Sequence, residues 1–173
     1  MSLSSATSDI PNEISDFQSL CTVIGFVEVN WALFEQSLDC IVLTVHRDLG
    51  GSAIEKRPPK VYKAKSAFLK KAFNKVIVLN PLKSEANALL DKSDVLAARR
   101  NDLTHGVVTH TEIKDGVYNF SKIDYIGPDH CYRDFTFDPN DFPTLAQELL
   151  DLGGEVTRLG LKVNEIEQRL SRA

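Results

Sequence analysis

The sequence predicts a mainly α fold: an up-and-down four-helix bundle with long first and last helices and a small antiparallel β-hairpin or meander inserted before the last helix. Three observations predict it. Apolar residues recur with helical spacing through four segments. After Gly106 the period changes from 3.6 to 2, and helical spacing returns only near Asp141. In the last segment Phe142, Leu145, Leu149, Leu152, Val156, Leu159, Val163, Ile166 and Leu170 follow one another at spacings of three and four, a sustained heptad seam.

Taken in order, residues 1–9 are small and polar and are expected to be disordered, and residues 10–173 form a single helical domain. From about Asn12 to Leu49 the pattern is helical and unusually apolar, with Gly25 inside it and Gly50-Gly51 stopping it. Pro58-Pro59 then pre-organise a basic helix that ends near Asn80-Pro81, because proline cannot donate to the helical ladder. A third helix runs from Lys83 to His105, with Ser84 as a cap and Gly106 as a left-handed stop. The insertion covers about 107–138. Within it VVTHTEIK and VYNFSKIDYI flank Asp115-Gly116, a pair suited to a two-residue hairpin turn, and CYRDFTF adds a third short strand. Asp141 and Pro143 open the last helix, whose seam lies against the first helix or against a second copy of the chain.

Composition excludes several classes. With 43% hydrophobic and 25% charged residues the chain is neither disordered nor low in complexity. No uninterrupted apolar run approaches the roughly 18 to 20 residues that span a bilayer. MSLSSATSD lacks the basic start of a signal peptide, so a cytoplasmic protein without membrane contact is expected. Cys21, Cys40 and Cys131 form no CxxC pair and read as reduced thiols filling the core. His46, His110 and His130 have no second ligand at a metal-like spacing and read as surface or turn residues, so no metal or other cofactor is expected. GxxxxGK[ST], GxGxxG and the nucleophile elbow are absent.

The net charge of −4 hides an uneven distribution: Lys56 to Lys75 carries +8 and the remainder −12. Lys60, Lys63, Lys70 and Lys71 fall on one side of a helix, as a solvated face or as a surface for RNA phosphates.

The third helix ends in LAARRNDLTHG. Its angular spacing puts Arg100 on the apolar side, where a guanidinium needs an acid. Glu28, Glu35 and Asp39 make one acidic stripe on the first helix, bordered by Trp31, and supply that acid. Asp94, Asn101 and His105 align on the opposite side, so that Asn101 is placed to orient the His105 imidazole. A histidine before glycine is also an ordinary helix C-terminus, and both readings stay open.

Arg100-Asn101-Asp102-Leu103-Thr104-His105 resembles the R-x4-6-H signature of the HEPN superfamily, and the W-x-x-F-E pattern at Trp31 to Glu35 on a long first helix agrees with it. The resemblance covers roughly 12–106 and 140–171; the β insertion departs from the family's bare four-helix form. It implies a metal-independent endoribonuclease of a toxin–antitoxin, abortive-infection or RNA-processing system, working as a homodimer, with an antitoxin or another protein as a further partner. It implies that His105 activates the ribose 2′-hydroxyl or protonates the leaving oxygen, that Arg100 stabilises the phosphorane and that Asn101 orients the histidine or the phosphate. A non-catalytic dimerisation or interaction module is the alternative.

Overall fold

The computed structural model describes residues 10–108, 117–126 and 129–172. The expected disorder of 1–9, the Asp115-Gly116 turn and His110 lie outside them. The chain is mainly helical, with four helices and a three-stranded antiparallel sheet before the last: α1 (Ile10–Asp48), α2 (Tyr62–Lys75), α3 (Lys83–His105), β1 (Val107–Val108), β2 (Tyr118–Ile126), β3 (Asp129–Phe137) and α4 (Phe142–Ser171). It divides into two compact units. One joins the chain up to Glu28 with Arg100–Ala146, and the other joins Val29–Arg99 with Gln147–Ala173.

In the second unit α1 buries Trp31, Phe34, Leu38, Ile41, Val42 and Val45. Its end is set by Gly50, whose φ of 84° lies where side chains other than glycine are rarely accommodated. α2 contributes Phe68, Leu69, Ala72 and Phe73 to the same core and stops at Lys75, five residues before Asn80. Val76 is extended, and Ile77–Leu82 forms a separate 3-10 turn that takes in Pro81 and buries Leu79. The run Val76-Ile77-Val78 is β-branched and a poor helix former, so the helix yields before the proline is reached. α3 follows that turn directly, which leaves Ser84 inside the helix rather than at its cap.

The heptad residues of α4 in this unit, Leu149, Leu152, Val156, Leu159 and Val163, are all buried, while Leu170 at its end is half exposed. Ion pairs link the helices here: Lys92 with Glu155 at 2.9 Å, Arg99 with Glu148 at 2.6 Å and Lys162 with Glu85 at 2.6 Å join α3 to α4. Lys70 reaches Asp91 at 2.6 Å and Asp94 at 2.8 Å, joining α2 to α3.

The first unit centres on the sheet, whose order is β1-β2-β3. Val107 pairs with Ser121 and Val108 with Phe120, and β2 pairs with β3 without a break from Tyr118 opposite Phe137 to Ile126 opposite Asp129. Alternation puts Tyr118, Phe120, Phe135 and Phe137 on one face, and the rings of Phe120 and Phe135 stack 5.0 Å apart. Gly106 is not a left-handed stop, because Gly50 holds the positive φ among the described glycines. It is small for another reason: a Cβ there would stand 2.7 Å from the Phe135 ring and 3.0 Å from Phe120. A 3-10 turn, Pro139–Asp141, leads into α4, and the Asp138 side chain caps it by accepting from the Asn140 amide at 2.8 Å.

Some sequence expectations do not hold. All three cysteines are exposed: Cys21 and Cys40 face solvent from α1 and Cys131 from β3, so none fills the core. His46 is buried, its Nε2 lying 2.9 Å from the Glu55 carbonyl oxygen, whereas His130 is a surface residue as expected, exposed on β3. The stretch of α1 from Phe17 to Asp48 is long and apolar enough to cross a membrane by length and composition alone. Counting uninterrupted runs passes over it because Glu28, Glu35 and Asp39 break each run.

Candidate functional site

The last turn of α3 is oriented by Leu103, which is buried in the first unit. With Leu103 turned inward, Arg100 and Thr104, one helical turn apart, share a face and meet Glu28 of α1. Arg100 holds that carboxylate at both oxygens, Nε donating to Oε1 at 2.6 Å and Nη2 to Oε2 at 2.5 Å. This two-point geometry is the strongest pairing an arginine makes with a carboxylate. Thr104 Oγ1 lies 2.6 Å from Glu28 Oε1 and 2.8 Å from the Arg100 carbonyl oxygen, so its single hydrogen serves one of two acceptors. Arg100 Nη1 donates to Asn101 Oδ1 at 3.0 Å.

Burial pushes the Glu28 carboxyl up, but hydrogen bonds from Arg100 and Thr104 and the positive charges of Arg100 and His105 outweigh it. Glu28 is therefore held below its ordinary value and stays ionised. His105 is exposed and makes no hydrogen bond to a described residue. Asn101 gives its amide oxygen to Arg100, and no bond joins it to His105 among the described residues.

The acidic stripe is shared out differently from the sequence expectation. Only Glu28 meets Arg100. Glu35 and Asp39 pair with Lys65, at 2.9 and 2.7 Å, and the Lys65 side chain is 5% exposed. Trp31 is buried, with its ring 5.0 Å from Phe34 and 4.9 Å from Tyr62. Asp94, expected beside Asn101, accepts from Tyr62 at 2.7 Å and pairs with Lys70. Of the four lysines expected to meet RNA, Lys70 is bound by Asp91 and Asp94, and Lys71 lies 3.3 Å from Glu55. Lys63 and Lys60, the latter just ahead of α2, are exposed and pair with no described acid.

Sequence reasoning missed Asp102. It turns from the same helical turn towards the sheet, where Arg133 donates to it at 2.6 and 3.3 Å and Lys122 at 3.1 Å. Arg133 Nε also donates to Asp124 at 2.6 Å. The signal was present: Lys122 and Asp124 stand two apart on one strand face, and Asp102 is the only acid in the motif. Burial pushes Asp102 up, and the bonds from Arg133 and Lys122 more than offset it, so this carboxyl too is held below its ordinary value.

Among the described residues no three His, Cys, Asp or Glu side chains converge as a metal site would need. The arrangement therefore offers an anchored guanidinium, an accessible imidazole and a hydroxyl within one and a half helical turns. Comparison with protein-family models, with curated proteins and with solved structures gives no match.

Proposed function

We propose that the chain is a HEPN-like endoribonuclease that cleaves RNA without a metal and acts in the cytoplasm as a homodimer. The observation that carries the reading is the Glu28–Arg100–Thr104 network beside an exposed His105 that hydrogen-bonds no described residue. Glu28 fixes the guanidinium, while Arg100 keeps N–H groups that no described residue uses and its side chain stays 23% exposed. His105 takes the proton from a ribose 2′-hydroxyl, whose oxygen attacks the neighbouring phosphorus to form a 2′,3′-cyclic phosphate, and the P–O bond to the 5′-oxygen breaks as that oxygen takes a proton from the imidazolium so formed. Arg100 stabilises the charge of the phosphorane, and Asn101 keeps Arg100 aimed. Lys60 and Lys63 supply phosphate contacts. An antitoxin or other protein partner of a toxin, defence or RNA-processing system would act by covering this turn.

The fold reading that accompanies it is an up-and-down four-helix bundle. It is supported within the second unit by the pairs that join α1 to α2, α2 to α3 and α3 to α4, and by Thr44 and Asn164, 3.5 Å apart, between α1 and α4.

The test is RNA cleavage in EDTA by the parent and by His105→Ala, with circular dichroism to show that both are folded. Parent cleavage with loss in the variant is expected, and equal cleavage by both overturns the reading. One observation favours a second reading, a non-catalytic interaction module: Arg100 is held at both carboxylate oxygens within its own chain, as a structural ion pair would be. That module predicts no cleavage and partner binding that survives high salt, where phosphate contacts weaken steeply.

A further inference from the structure

We propose that β3 is a dimerisation strand, pairing antiparallel with β3 of a second copy about a two-fold axis at Tyr132. The surface stands on its own observations, and its use in cleavage rests on the homodimeric nuclease reading above.

β3 is the edge of the sheet and is nine residues long. Its pairing with β2 runs unbroken over its whole length, so no bulge turns it away, and it contains neither proline nor lysine. Bulges, proline and lysine are among the devices that ordinarily block an exposed edge, and the inward-pointing charge that β3 does carry, Arg133, is already neutralised by Asp102 and Asp124. A row of unpaired backbone N–H and C=O groups selects its occupant by chemistry, because only another extended chain satisfies it in register.

The side chains select a second copy. Tyr132 is 73% exposed, with Ile123 opposite it on β2, and Tyr125 is 81% exposed opposite His130. His130, Tyr132 and Asp134 share that outward face. A two-fold axis perpendicular to the sheet joins residues of equal parity, so each candidate centre can be weighed. Centring on Arg133 opposes two arginines, and centring on Asp134 opposes two aspartates. Centring on Cys131 spends its charge match on Arg133, which Asp102 and Asp124 already hold. Centring on Tyr132 stacks tyrosine against tyrosine and sets His130 opposite Asp134 twice.

Such an axis leaves the inner faces of both sheets on the same side. Arg133 points to that side and holds Asp102, two residues from Arg100 and three from His105. Both copies of the motif therefore lie on one side of the joined sheet.

The test is sedimentation equilibrium of the full chain, the parent against Tyr132→Asp, with circular dichroism as the fold control. The dimer dissociation constant is expected to rise at least about tenfold in Tyr132→Asp. Asp134→Lys weakens the dimer, and His130→Asp added to it restores much of the loss. A parent that stays monomeric, or a Tyr132→Asp dimer as tight as the parent, overturns the proposal. RNA cleavage measured in the same samples separates the two readings. A monomeric parent that cleaves overturns β3 pairing and spares the nuclease; a β3-dependent dimer without cleavage supports the pairing and overturns the nuclease.

Discussion

Two cations of this protein meet carboxylates of α1, and they meet them differently. Lys65 is 5% exposed at its side chain and sits between two acids, Glu35 at 29% and Asp39 at 44%. Arg100 is 23% exposed and shares one acid, Glu28, with a threonine hydroxyl. A buried ammonium between two partners keeps one N–H, but burial closes it to a ligand in transit. A guanidinium held by one edge keeps its other edge available. The comparison teaches that pairing with an acid does not by itself mark a functional cation; what matters is whether the donors the protein leaves unspent are open to solvent.

The largest expected effect breaks the Lys65 side. Lys65→Met leaves two carboxylates without a counter-charge, and it should cost about 2 kcal/mol, less than a fully buried pair because both acids are partly solvated. For a chain of this length that is a fall in melting temperature of about 4 to 8 °C, measurable by thermal denaturation. The Lys65 amine is lowered by burial but raised more by its bonds to Asp39 and Glu35, so its folded pKa lies above 10.5. Its contribution is complete below pH 10.5 and is lost as pH rises through the folded value, so parent and variant should converge in strong alkali.

Glu28→Gln sharpens the contrast from the other end of the pH scale. It should cost about 1 kcal/mol near neutrality, by removing the charged half of the Arg100 pair. Glu28 is depressed below 4.5, so its contribution is present above that value and disappears as pH falls through the folded pKa. The difference between parent and Glu28→Gln should therefore close in acid, whereas the alkaline convergence belongs to Lys65 alone; a Glu28 difference that persists in acid would mean the residue acts through packing. Under the nuclease reading the same variant should also lower cleavage.

The smallest effect is at Thr104→Val, which keeps shape and removes one hydrogen bond to Glu28. About 0.5 to 1 kcal/mol is expected by denaturant titration, and no change would place that hydroxyl's hydrogen on the Arg100 carbonyl instead.

Much of this architecture was legible because it is periodic. α3 runs from Lys83 to His105 as its spacing predicts, and the seam of α4 is buried along most of its length. The period change after Gly106 located the sheet, and CYRDFTF lies inside β3. What periodicity conveys is which way a side chain points, and it does not say what comes to meet it. That is why Arg100 was expected to find an acid and did, whereas the three acids of the stripe were assigned to it together although two of them serve Lys65. The same limit hid the pairing of Asn101 with Arg100 and of Asp102 with Arg133, because the partner choice depends on approach distances that no local pattern encodes. The early end of α2 was hidden otherwise: proline is the louder signal, and the β-branched run before it decided the matter.

Asp102 gives the sheet a claim on the site. Residue 100 holds α1, residue 102 holds β2 and β3, and residue 104 returns to α1, so alternate positions of one helical turn answer to different parts of the molecule. Without the insertion Asp102 would lose both of the cations that hold it, two residues from Arg100, so the sheet, though an addition to the helices, is not a removable ornament.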